Sequence, residues 1–302
     1  MAIKQFPATK KIHSFHPPQR TLMGPGPTEI HPRVLTTMSQ PAIGYLDPVF
    51  VEMMEELKSL LRYVYQTDNA LTFPVSGPGS VGMEYCFVNM VAPGDKVIVA
   101  RNGVFGGRMI ENVERCGGTA IVVDDEWGKP VDPHKIEDAF KKHPDARVLG
   151  FVHAETSTGC ESDAKALTQI AHKHDALVIV DAVTSLGGSP VLVDDWKIDA
   201  IYSASQKCLS CTPGLSPVSF SERVVEHVKA RKDKIHWATR APTAPRPSLT
   251  PPPPFFPTAR RSSRTRWTRR SSTPELTSCR AEPTWATPST STLISAATSG
   301  TT

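Results

Sequence analysis

From about residue 68 to 205 the sequence alternates between short apolar, β-rich runs and helix-compatible stretches, and no other feature restricts the fold as much. The runs cover 70–75, 96–100, 119–123, 147–153, 177–181 and 200–203. Most are continuous apolar segments, as expected for strands covered by helices on both faces. Between them lie helical stretches at 80–91, 105–116, 133–142 and 163–174. Strand, then about 10–15 helical residues, then strand is the rhythm of βαβ units, so the expected fold class is α/β with a mainly parallel sheet. Upstream, Phe50, Met53, Met54, Leu57, Leu60, Leu61 and Val64 fall on one face of a helix over 49–65. Asp47-Pro48 supplies its start, an N-cap followed by proline at the first helical position.

The rhythm stops near residue 235, and composition changes there too. Residues 1–235 hold 25 Lys+Arg against 28 Asp+Glu, whereas residues 236–302 hold 9 Arg, no Lys and 2 Glu. The overall charge of +4 thus belongs to the last segment and does not point to a nucleic-acid partner for the rest. Pro, Arg, Ser and Thr dominate that segment, leaving too few apolar groups to offset the entropy of ordering. A shifted reading frame is the first explanation of this tail, a disordered tail the second and an Arg-rich nucleic-acid arm the third. The expected layout is an N-terminal arm at 1–21, one large domain at 22–235 and the tail at 236–302. No stretch approaches the roughly 20 apolar residues of a membrane helix. The N-terminus lacks the apolar run of a secretory signal. Six scattered cysteines suit a reducing compartment, the cytoplasm. The Cys208/Cys211 CxxC has no second pair, so it reads as small residues in a loop. His172 and His174 read as helix-surface residues, and no metal is assigned.

Three constellations could carry chemistry. Ser76-Gly77-Pro78-Gly79-Ser80-Val81-Gly82 turns from a strand into a helix, where small residues and the helix start suit a phosphate. It lacks the Gly-Lys-Ser/Thr of a Walker loop, and alone such a turn often serves only the chain reversal. Asp181 ends a buried strand at the carboxyl edge of the sheet, where α/β proteins bind ligands, although it could equally cap the turn that follows. Lys207 follows the next strand, where partial desolvation would lower its pKa and favour imine formation with an aldehyde. Taken singly, most lysines are solvated charges. Phosphate turn, then carboxylate, then a lysine beyond the following strand is the set of roles that pyridoxal phosphate (PLP) chemistry requires together.

Those segments resemble the class V aminotransferases, nearest the alanine–glyoxylate and serine–pyruvate or serine–glyoxylate subgroup. The motifs that carry the resemblance are Gly24-Pro25-Gly26-Pro27-Thr28, the glycine turn at 76–80, Asn102-Gly103-Val104-Phe105-Gly106, His153-Ala154-Glu155-Thr156-Ser157-Thr158-Gly159, the stretch 180–188 and Ser203-Ala204-Ser205-Gln206-Lys207. The resemblance covers about residues 22–234 and implies a PLP-dependent transferase of fold type I, represented by its large domain. It implies that Gly79 and Ser80 hold the phosphate with help from Gln206. Phe105 would stack on the pyridine ring where many relatives have Trp, and Thr156 would meet its phenolic oxygen. Asp181 would pair with the ring nitrogen, Val183 would pack the other face, and Lys207 would form the Schiff base.

It further implies a homodimer that moves an amino group from alanine or serine to glyoxylate or a similar 2-oxo acid. The segment 24–28 would border the substrate. The family's carboxylate-clamping Arg, carried by a C-terminal domain, has no counterpart among residues 236–302, so activity of the chain by itself is in question. The alternatives are a PLP-dependent lyase or desulfurase and a non-catalytic α/β fragment that binds a phosphate ligand.

Overall fold

The computed structural model describes residues 16–233, 235 and 241. The first fifteen residues and, Ala241 excepted, the expected tail at 236–302 lie outside the described residues. Two helices come first, α1 (Pro32–Met38) and α2 (Pro48–Tyr65). Then follow β1 (Leu71–Ser76), α3 (Gly79–Met90), β2 (Lys96–Arg101), α4 (Val104–Arg115), β3 (Thr119–Asp124), α5 (Pro133–Lys142) and β4 (Ala146–Val152). A short hairpin, β5 (Ala154–Glu155) and β6 (Cys160–Glu161), leads to α6 (Ala164–Lys173), β7 (Leu177–Asp181) and α7 (Val193–Trp196). The described elements end with β8 (Ala200–Tyr202), β9 (Leu215–Phe220) and α8 (Glu222–Ala230).

Seven strands form one sheet in the order β1-β9-β8-β7-β4-β2-β3. The pairings β8·β7, β7·β4, β4·β2 and β2·β3 are parallel, as the alternating pattern requires. Successive strand residues feed opposite faces. Ile98, Leu149, Phe151, Val178 and Val180 enter one core with Tyr65 of α2 and with α5 and α6. Val97, Val99, Val148, Leu177 and Ile179 enter the other with α3, α4 and α8. Both faces are dry, which is why the strands read as unbroken apolar runs.

Two details differ from expectation. β9 falls outside the expected strands, because Leu215-Ser216-Pro217-Val218-Ser219-Phe220 carries a proline and two serines. It lies inside the sheet, antiparallel to both β1 and β8. Its polar atoms are satisfied locally. Ser216 Oγ donates to the Ser203 carbonyl at 2.6 Å, Ser219 Oγ shares a hydrogen bond with Thr72, and the Pro217 carbonyl accepts from Tyr65 Oη at 2.9 Å. The second difference concerns α2. Asp47 caps it as expected, accepting from the Val49 N–H, with Pro48 at its first turn. Of its apolar face, however, only Leu61 is buried, together with Tyr65, while Met53 and Leu60 stay exposed.

α3 presses on the sheet through Gly82. A Cβ there would overlap Ser216 Oγ and come within 3.2 Å of Tyr202 Cβ. Gly82→Ala is therefore expected to destabilise the chain by about 1–3 kcal/mol, read from urea unfolding; an unchanged midpoint would contradict this close approach.

Candidate active site

β7 and β8 are parallel neighbours, with Asp181 paired in register with Tyr202. Their carboxyl ends deliver Asp181 directly and Lys207 through a turn. Asp181 is 2% exposed. Its Oδ1 accepts from the Val183 N–H at 2.8 Å and its Oδ2 accepts from Tyr202 Oη at 2.7 Å. Asp181 therefore does cap the turn that follows β7, but only with one oxygen. Burial is the largest influence on its carboxyl and raises it from 3.8 to about 6. The Tyr202 hydroxyl, the Val183 N–H and the Lys207 charge pull it down, while the Glu155 charge adds to the upward push.

Lys207 lies close enough that burial lowers its amine while Asp181 acts to raise it. The amine Nζ donates to the Pro25 carbonyl at 2.7 Å. Thr28 ties the same segment to the lysine loop, its N–H donating to the Gln206 carbonyl and its hydroxyl to that of Lys207. Gly26 lies so near that a Cβ would overlap Lys207 Cδ. The 24–28 motif is thus folded over the lysine.

The glycine turn arrives at the same place. A Cβ on buried Gly79 would stand 3.0 Å from both Val183 Cγ2 and Ala204 Cβ, so α3 begins between the turn after β7 and the strand leading to Lys207. No side chain caps that helix start, and Ser80 is exposed in its first turn. The Gln206 carboxamide, next to the lysine, has its Oε1 buried without a partner. An unpartnered acceptor of this kind could take a donor from a ligand or a water.

Phe105 opens α4, with the Arg108 guanidinium 4.7 Å from its ring centroid. Its backbone N–H donates to Glu155 Oε2 at 3.2 Å. The Thr156 hydroxyl is hydrogen-bonded to that of Thr184, in the turn after β7. Glu155, Tyr202 and Thr184 receive no role from the sequence alone, although each sits inside or beside one of its motifs. The signal available is a polar residue closing a buried apolar strand.

His172 and His174 are not plain surface residues. His172 bonds Asp199, a buried carboxylate, at 2.7 Å, and His174 stacks on Phe140 with ring centroids 4.9 Å apart. No cluster of metal ligands exists among the described residues. No helix among them is long and apolar enough to cross a membrane.

An amine and a carboxylate that share one sheet edge with an uncapped helix start could hold a phosphate-bearing aldehyde cofactor. Residues 23–232 match the family described as aminotransferase class-V, and the chain belongs to it. That family is PLP-dependent. Among curated proteins, (S)-ureidoglycine–glyoxylate transaminase of Bacillus subtilis is 41% identical over 215 residues, 71% of this chain and 51% of that protein. Alanine–glyoxylate aminotransferase of Drosophila melanogaster is 37% identical over 218 residues, covering 72% and 55%. The chain thus spans about half the length of the curated relatives it matches. Among solved structures, alanine–glyoxylate aminotransferase from Nostoc sp. superposes with a TM-score of 0.74 at 39% identity, covering 76% of this chain and 61% of that one. The fold is accordingly that of the fold type I PLP-dependent aminotransferases.

The Asp181 carboxyl gives the fold a pH signature. Its folded value, about 6, lies above the unfolded 3.8, so the folded state holds the proton more tightly. Its contribution is complete below pH 3.8 and is lost as pH rises through 6, about 3 kcal/mol in all. Relative to Asp181→Asn, the cofactor-free chain should lose roughly that stability between pH 4 and 7. Parallel pH profiles of the two unfolding free energies would refute the raised carboxyl.

Proposed function

We propose that residues 22–235 form the cofactor-binding domain of a transaminase that transfers an amino group from a small amino acid, alanine or serine, to glyoxylate or a similar 2-oxo acid. One observation carries this reading: the Lys207 amine, the Asp181 carboxyl and the Gly79 turn converge at one edge of the sheet, beside a buried Gln206 Oε1 that has no partner. Glyoxylate as acceptor is supported by the names of the relatives, which share that substrate and differ in the donor.

In this reading Lys207 would hold PLP covalently, and Gly79 and Ser80 with Gln206 would hold its phosphate at the start of α3. Phe105 and Val183 would pack against the ring, and Thr156 and Asp181 would hold its phenolic oxygen and its nitrogen. Bound there, PLP supplies an electron sink for the charge left when the amino acid Cα loses a proton. The chain's own part is proton handling and placement. The Lys207 amine would be the base at Cα, and burial, by lowering its pKa, favours the unprotonated form that a base needs. The Pro25 carbonyl gives that amine an acceptor when it is free. Asp181, whose ionised form is steadied by Tyr202 and the Val183 N–H, would keep a proton at the ring nitrogen. Holding both groups at one edge removes the cost of assembling them.

A homodimer is part of the proposal. Among the described residues, most of the exposed large hydrophobic ones fall between residues 22 and 63, among them Met23, Met38, Tyr45, Leu46 and Tyr63, a surface that a second copy would cover. The five described cysteines are all free, which fits the cytoplasm. A desulfurase reading gains nothing from Cys208, whose thiol donates to the Thr184 carbonyl.

Titrating the chain with PLP should produce visible imine absorbance, and borohydride reduction should fix the label on Lys207 in a peptide map. Lys207→Ala should abolish both. A label elsewhere, or absorbance kept by the variant, defeats the assignment.

A further inference from the structure

Two of the motifs that the sequence presents separately, 102–106 and 153–159, are fastened together by one buried carboxylate. Glu155 is 1% exposed. Its Oε2 accepts from the backbone N–H groups of Phe105 at 3.2 Å and Gly106 at 3.4 Å. Its Oε1 accepts from the Ser157 N–H at 3.1 Å and the Ser157 hydroxyl at 2.7 Å. Ser157 Oγ in turn accepts from the Val104 N–H at 3.0 Å, closing the loop between the two segments. No side-chain hydrogen bond comes from Gly103, the N-cap of α4. Glu155 therefore does what a cap residue ordinarily does, but from a separate segment of the chain, and its charge faces the positive end of the helix. Gly103 makes room for it: a Cβ there would overlap Glu155 Cγ and Cδ and Ser157 Oγ.

We propose that Glu155 is a positioning residue for the cofactor, whose carboxylate fixes the Phe105 ring at the start of α4 and Thr156 beside it in one rigid unit. This rests on the reading of the site given above. The chemistry singles out a carboxylate. Both of its oxygens receive backbone N–H donors, so the isosteric amide must turn its NH2 toward one of those donors and lose that side of the clasp. A neutral amide also gives up the favourable interaction with the helix end. Phe105 and Thr156 would then no longer be held in a common geometry, although neither residue is altered.

The test compares wild type, Glu155→Gln and Ser157→Ala in three measurements: amide hydrogen exchange of the cofactor-free chain, PLP affinity by absorbance titration, and visible circular dichroism of the bound cofactor. In E155Q the Phe105 and Gly106 amides should exchange faster, PLP should bind about tenfold more weakly, and the dichroism, which reports how asymmetrically the ring is packed, should fall. S157A keeps the charge and the Glu155 bonds to the Phe105 and Gly106 amides while losing the hydroxyl's bonds to Glu155 and Val104, so it should give a smaller loss in all three, which guards against a simple folding failure of E155Q. Unchanged affinity and dichroism in E155Q overturn the inference, even if its thermal stability drops, because a purely structural role predicts that pattern. Unchanged exchange at Phe105 and Gly106 overturns it without any cofactor. Failure of the wild-type chain to form a reducible imine at Lys207 instead removes the reading of the site, while the exchange result still decides on the clasp.

Discussion

Placing the Asp181 carboxyl at the end of β7, 2% exposed, takes an ionisable group out of water, and its neighbours are arranged around that fact. A buried carboxylate without partners would cost several kcal/mol and would simply stay protonated. Here Tyr202 and the Val183 N–H each satisfy one oxygen, and the Lys207 charge lies near enough to favour the ionised form. The balance leaves the carboxyl near 6, so that it can share a proton instead of holding or shedding it outright. Tyr202 reaches it only because β7 and β8 are in register, and Lys207 comes round only because β8 ends shortly before a tight turn. Sheet register thus sets the surroundings of an ionisable pair.

Much of this was legible in the sequence. The parallel strands announced themselves because each is buried on both faces, and the element edges fell close to the expected ones. The turn at Gly79, the carboxylate at 181 and the amine at 207 could be aligned as one candidate series because all three lie at or beyond the carboxyl ends of strands. What stayed hidden was of another kind. β9 satisfies its hydroxyls and tolerates its proline through partners in Tyr65, Thr72 and Ser203, none of them its neighbours in sequence, so local propensity reads it as a loop. Glu155 looked like one more polar residue in a motif, since its partners at 105 and 106 lie on another helix. α2 showed its apolar stripe plainly, but periodicity says which face is greasy, not what covers it.

The clasp at Glu155 and the fold-over at segment 24–28 fasten loops in different ways. Loops by themselves are poor at holding side chains within fractions of an ångström. At Glu155 the remedy is a buried charge with four donors. At 24–28 it is backbone against backbone, with Thr28 joined to Gln206 and Lys207 and glycine at 26 where no larger residue would fit.

The position of β9 has a bearing on how the molecule is made. Leu71 pairs with Phe220 and Ser76 with Leu215, so the strand that joins β1 to the rest of the sheet is the last of the seven to leave the ribosome. The five parallel strands can gather as they emerge, whereas β1, the first made, must wait unpaired until all the others have been synthesised. Long-range closure of this sort is slow. During that interval the nascent chain carries an open strand edge.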